Sequence, residues 1–203
     1  MRIENVKIYG IDETAKASGY PMQASLDEYE ERAEIGRRRL QRLGKARIGS
    51  GHDCALKGIV TQADITAPQY WWLQFGRYHF ADIVSSQSKM HRLIKMDVNH
   101  QCNRYVEPEI KNKLSALISN YNKIKDLGES DKILFQKIVA NCPMGLMLTA
   151  RITTNYLQLK TMYFQRKNHR LEEWRIFCNW AMKLPMFKEV VKAEKEYKKK
   201  VEE

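Results

Sequence analysis

Arg77-Tyr78-His79 and the run Ser85, Ser86, Ser88, Lys89, His91 and Arg92 place guanidinium, imidazole, ammonium and hydroxyl groups along one short stretch of chain. Such side chains are rich in directed donors and positive charge, the chemistry that holds anionic ligands. A solvated basic loop has the same composition, so these residues define a candidate anion site and no more.

Several elements must position that stretch. Ile59, Val60, Ile65 and Thr66 predict a short strand over 59–67, and Pro68 then suits the first turn of a helix running to His79. Trp71, Phe75 and Tyr78 recur at helical spacing, which serves either a core stripe or, with Tyr70 and Trp72, a surface for stacking bases. The serines follow as a turn, and Leu93–Val98 is read as a returning strand. Upstream, alternation of Ile3, Val6 and Ile8 predicts a strand over 2–10. A helix is expected from Ser25, a candidate N-cap, to Ala46, with basic residues crowding its end. Gly49-Ser50-Gly51 breaks it. The segment 49–58 reads as an irregular edge and lacks the spacing of a phosphate-binding GxxxxGK[ST] loop.

Beyond Pro108 the pattern is helical, over roughly 109–126, 130–140, 146–167, 171–183 and 186–201. On a helix over 146–167, Asn155 and Arg166 fall within about 20° of one another, and Arg151, Gln158 and Met162 lie near the same line. A polar stripe on a buried helix requires partners, either another helix or a bound ligand. Tyr163, His169 and Trp174 surround Arg166 in sequence and are candidates to pack the helix ends.

The chain has 203 residues, 43% of them apolar, which fits one α+β domain over 1–203: a small mixed or antiparallel sheet covered by long helices. No run of about 18 apolar residues appears, nor an apolar leader in MRIENVKIYG, so a cytoplasmic protein without membrane association is expected. Cys54, Cys102, Cys142 and Cys178 form no CxxC pair, which predicts reduced thiols and no metal site. Cys142 lacks a partner base nearby in sequence and is read as a structural thiol rather than a nucleophile. The net charge of +11 favours anionic partners, although the clusters Arg37-Arg38-Arg39 and Lys198-Lys199-Lys200 sit among glutamates and read as solvated helix faces.

Taken in order, these motifs resemble the flavin-dependent thymidylate synthases, whose signature is Arg-His-Arg, seven or eight residues, then Ser. Here Arg77-Tyr78-His79 is followed by eight residues and Ser88. Gly51-His52, Ala67-Pro68 and Gln74 fall where that family has Gly-His, Ala-Pro and Gln, and Pro143, Asn155 and Arg166 match its later helical segment. The likeness spans roughly 50–183. It departs at Tyr78 and His79, at Met90 where an arginine is expected, and at Lys57 where the family has a carboxylate.

The resemblance implies flavin-dependent methylation of dUMP to dTMP, or a related one-carbon transfer to a pyrimidine deoxynucleotide. FAD, methylenetetrahydrofolate and NADPH are the implied cofactors, with no protein nucleophile and a homotetramer sharing its active sites. It implies that Arg77, Tyr78, His79, Asn155 and His52 bind the flavin. Gln74, Ser86, Ser88, Lys89, Arg92 and Arg166 would hold the nucleotide, with Lys89 or Arg92 replacing the missing arginine at the phosphate. The alternative is a catalytically inactive homologue binding nucleotides or nucleic acid; against it stands the absence of any recognised nucleic-acid motif.

Overall fold

The computed structural model describes residues 1–25 and 33–191. Four strands, β1 (Arg2–Tyr9), β2 (Val60–Pro68), β3 (Ala81–Ser86) and β4 (Met147–Asn155), form one antiparallel sheet in the order β1-β2-β4-β3. The pairing fixes the directions. Tyr156 N donates to Ile59 O at 3.0 Å while the Thr66 and Thr149 hydroxyls meet at 2.8 Å, so β2 and β4 run oppositely. Likewise Thr154 Oγ1 donates to Phe80 O at 2.8 Å and Gln87 N to Thr149 O at 2.9 Å, which makes β3 antiparallel to β4. With its helices, the chain is an α+β fold as expected.

The helices are α1 (Ile11–Ala17), α2 (Ala33–Gly44), α3 (Gln69–Phe75), α4 (Lys89–Arg92), α5 (Val98–Gln101), α6 (Pro108–Asp126), α7 (Lys132–Ala140), α8 (Tyr156–Arg166), α9 (Glu172–Ala181) and α10 (Phe187–Val191). None of the described helices is long and apolar enough to cross a membrane. Residues 26–32 of the helix expected over Ser25–Ala46, the end of that expected over 186–201, and Lys198-Lys199-Lys200 lie outside the described residues.

The chain divides into two compact units. The first comprises Met1–Arg2, Asp64–Arg77 and Ile83–Ile152. Its core gathers Leu93, Ile94 and Val98 with Leu114 and Ile118 of α6, Leu134 and Ile138 of α7, and Leu146. This packing corrects the strand expected over Leu93–Val98. Those residues form a 3-10 turn, Leu93–Lys95, and then α5, whose N-cap Asp97 accepts from Asn99 N at 3.0 Å. Asn122 Nδ2 donates to Ile94 O at 2.9 Å, so the backbone there needs no neighbouring strand. Short apolar runs fit helix or strand alike, and here the helical face of α6 decided.

Trp71 and Phe75 are wholly buried, with ring centroids 5.0 Å apart. Trp72 Nε1 donates to Ala67 O and Leu148 O at 3.1 and 3.0 Å. These indoles are therefore structural rather than a stacking platform. Helix α3 stops at Phe75 instead of reaching His79: Gly76 N still bonds Trp72 O at 2.9 Å, but Arg77 N then turns to Gln74 O at 3.3 Å, a tightened last turn.

The second unit comprises Ile3–Ala63, Tyr78–Asp82 and Thr153–Glu203. Here α1 packs on α2, α2 on α10, and α8 on both α9 and a 3-10 turn, Cys54–Gly58. Close approach at Gly44 explains its lack of a side chain: an added Cβ would stand 2.6 Å from Val190 Cγ1. The helix expected over 146–167 is in fact β4 followed by α8. Thr149, Ile152, Thr153 and Thr154 supply the β-branched run that favours strand, and Asn155 begins the helix as its N-cap.

Candidate functional site

In the first unit, β3 ends at Ser86 and Ser88 caps α4, its Oγ accepting from His91 N at 3.3 Å. The serine-rich segment expected as a turn thus carries Ser85 and Ser86 on a strand. Ser86, Gln87, Ser88, His91, Arg92, Lys95 and Met96 line an open groove of about 720 Å³. Gln87 is held by its carbonyl: Oε1 accepts from Thr149 N at 2.9 Å and from Gln101 Nε2 at 3.3 Å. That leaves Gln87 Nε2 as a donor beside the hydroxyls, Arg92 and Lys95, a lining suited to phosphate or carbonyl oxygens.

Lys89 does not line the groove. Its Nζ donates to Gln69 Oε1, and Gln69 Nε2 donates in turn to Pro143 O at 2.9 Å, with Cys142 Sγ at 3.5 Å. Of the two cations expected to replace the missing arginine, the groove contains Arg92. Burial pushes the Cys142 thiol up, against the lowering effects of the Gln69 hydrogen bond and Lys89. A thiol so raised is a poor nucleophile at neutral pH. Gln74 is half-buried near the end of α3, and Arg77 is exposed.

In the second unit, α8 ends at Arg166, whose Nε donates to Tyr78 OH at 2.8 Å. Tyr78 OH donates onward to Gln165 Oε1 at 3.0 Å. The Arg166 Cζ lies 4.9 Å from the centroid of the buried Trp174 ring and 5.6 Å from that of Tyr78. His169 stands edge-on to Trp174 at 6.3 Å, and its Nδ1 accepts from Leu171 N at 3.1 Å. Burial and then the charges of Arg166, Arg170 and Arg175 hold this imidazole below its ordinary range, which favours its neutral form. Burial also lifts the Cys178 thiol to about 12, although Arg166 pulls the other way. Tyr163 faces Phe164 and Lys167 rather than Arg166.

The loop carrying His52 is clasped by Lys160 of α8. Its ammonium donates to Gly44 O, Ala46 O and Asp53 Oδ2 at 2.7, 2.6 and 2.7 Å, fully enclosed. His52 itself is exposed on that loop, as is His79 after α3.

Neither a protein-family model nor a curated protein sequence matches the chain. Solved structures do. Flavin-dependent thymidylate synthase ThyX from Helicobacter pylori, complexed with FAD and dUMP, superposes with a TM-score of 0.68 at 13% identity, covering 94% of this chain and 97% of that one. A second structure of the same enzyme with FAD and dUMP gives 0.68 at 12% identity, over 94% of this chain and all of that one. The chain has the flavin-dependent thymidylate synthase fold. A UMP/dUMP methylase, PolB from Streptomyces cacaoi bound with 5-Br dUMP, is also similar, with a TM-score of 0.61, 15% identity and coverage of 95% and 94%.

Within this flavin-dependent thymidylate synthase fold, Ser86, Ser88 and Arg92 share one groove, and Tyr78 and Arg166 share a hydrogen bond. Asn155 and Arg166 remain on one helix. They occupy opposite ends of α8, separated along its axis by about 16 Å at 1.5 Å per residue. Arg151 leaves the expected stripe altogether, being on β4 and paired with Asp64 at 2.8 Å. Asn155 Oδ1 is committed to Gln158 N at 2.9 Å as a helix cap. Sequence reasoning missed Lys160, Gln87 and Gln165. The signal for Lys160 was a mid-helix cation beside Leu159 on a helix that must be buried, with Asp53 the one acidic residue of the segment 44–58.

Proposed function

We propose that this chain is a divergent flavin-dependent thymidylate synthase that methylates dUMP, or carries out a closely related one-carbon transfer to a pyrimidine deoxynucleotide. What carries the reading is the agreement in fold along nearly the whole chain with proteins crystallised with FAD and dUMP. The donor-lined groove at Ser86, Gln87, Ser88 and Arg92 supports it, because a nucleotide phosphate needs such a lining.

In this reading Ser86, Ser88 and Arg92 bind phosphate, Gln74 and Arg166 orient the nucleotide, and Lys89 braces Gln69 behind the groove. Arg77, His79 and His52, each exposed, are assigned to the flavin, and Asn155 keeps its Nδ2 as a donor for it. Tyr78, assigned to the flavin with them, also holds Arg166 through its hydroxyl. Bound FAD would supply reducing equivalents replenished by NADPH, with methylenetetrahydrofolate giving the carbon. The chain's own contribution is orientation and fixed positive charge, with no nucleophile required of the raised Cys142 thiol.

A homotetramer with shared active sites belongs to the same proposal. It is favoured by β3, an edge strand on which both Ile83 and Val84 are exposed although they face opposite sides. The test of function is equilibrium binding of dUMP to FAD-loaded protein. Arg166→Ala is expected to weaken dUMP by tenfold or more, on the order of one lost charge-assisted contact, while retaining flavin. Equal dUMP affinity in wild type and variant would overturn the reading.

A further inference from the structure

We propose that Tyr78 is a positioning residue that aims Arg166 at its ligand, an inference resting on the nucleotide reading of Arg166. The Tyr78 hydroxyl has one proton, and that proton is directed to Gln165 Oε1. Its lone pairs therefore accept from Arg166 Nε at 2.8 Å, with the donor and acceptor roles fixed around a single oxygen. The guanidinium also lies by the Trp174 and Tyr78 rings at 4.9 and 5.6 Å, and the two rings meet edge-on at 5.8 Å. Hydrogen bond and ring contacts together restrain rotation about the end of the arginine side chain.

Only the inner edge of the guanidinium is consumed by this arrangement. Among the described residues, neither terminal nitrogen of Arg166 has a hydrogen-bond partner in the protein. What remains is a pre-aimed fork of N–H donors, the geometry that engages two adjacent acceptor atoms at once. Arg166 shares its neighbourhood with His169, whose imidazole burial and then the charges of Arg166, Arg170 and Arg175 hold below its ordinary range. Two parts of a pyrimidine nucleotide offer such a pair, the phosphate and the carbonyl edge of the base.

The test uses FAD-loaded full-length protein with dUMP, deoxyuridine and inorganic phosphate as probes. Tyr78→Phe keeps the ring against Trp174 and removes the oxygen, so thermal unfolding should change little while dUMP binds about tenfold more weakly. Flavin retention should be unchanged. Introduced into Arg166→Ala, the same substitution should have no further effect, a coupling that a purely structural role would not produce. Gln165→Met, at an exposed position, should weaken dUMP severalfold by freeing the hydroxyl to turn, and it decides the matter if Tyr78→Phe fails to fold. A loss that persists with deoxyuridine assigns the fork to the base; one that persists with inorganic phosphate assigns it to the phosphate. Undiminished dUMP binding by Tyr78→Phe, or by Gln165→Met where the first variant does not fold, overturns the inference if Arg166→Ala still weakens it. Failure of Arg166→Ala to weaken dUMP overturns the nucleotide reading with it.

Discussion

Replacing Lys160 with Met removes an ammonium that makes three hydrogen bonds of 2.6–2.7 Å and whose side chain, like that of Asp53, is 3% exposed or less. Methionine preserves most of the aliphatic stem, so the cavity term is small. The loss comes from stranding the Asp53 carboxylate and two carbonyls without a donor. Breaking such a pair costs about 3–5 kcal/mol, against about 0–1 kcal/mol for an exposed pair such as Arg38–Glu34. With a urea dependence of about 2 kcal/mol per molar, the unfolding midpoint should fall by about 1.5–2.5 M. Tryptophan fluorescence during urea titration reads the shift. Adding Asp53→Leu should recover much of it, since the isolated charge is then gone. Amide exchange across 45–52 should accelerate in the single variant, because Lys160 ties Gly44 and Ala46 to Asp53 across the His52 loop. A midpoint shift under about 0.5 M, roughly 1 kcal/mol, would refute the idea that this clasp bears on the fold.

Asn155→Ala should cost about 1 kcal/mol by removing the cap of α8, whereas Asn155→Asp should keep the wild-type melting temperature. Differential scanning calorimetry of the pair checks this, and equal losses in both would contradict the capping role. The thiols should separate by exposure: Cys54 should alkylate first at pH 8, with Cys102 and Cys178 reacting only on unfolding. Peptide mass spectrometry gives the order, and rapid labelling of Cys178 would show that its burial is wrong.

The local signals were strongest where periodicity, caps and breakers agreed. Alternating Ile3, Val6 and Ile8 gave β1, Pro68 introduced α3, and Pro108 opened α6. The errors fell where one pattern suits two structures. Leu93–Val98 is a short apolar run whose conformation depends on α6, and 146–155, inside the helix expected over 146–167, carries β-branched residues that favour strand. The α+β class survived both errors because strand and helix were only redistributed.

At the site, residue types were legible and their company was not. Ser86, Ser88 and Arg92 belong together because strand, cap and short helix follow one another directly. Tyr78 and Arg166 are 88 positions apart, and Lys160 and Asp53 are 107 apart. Such pairings are set by how strands and helices assemble, which no local periodicity encodes. The hydrogen bond between Tyr78, expected at the flavin, and Arg166, expected at the nucleotide, is the clearest example.

The most direct test of the central claim is a visible absorption spectrum of the protein after incubation with FAD and removal of free flavin, followed by titration with dUMP. The account predicts stoichiometric retained flavin and a saturable spectral change on adding dUMP. Protein that retains no flavin, and binds oligonucleotides as tightly as dUMP, would contradict it.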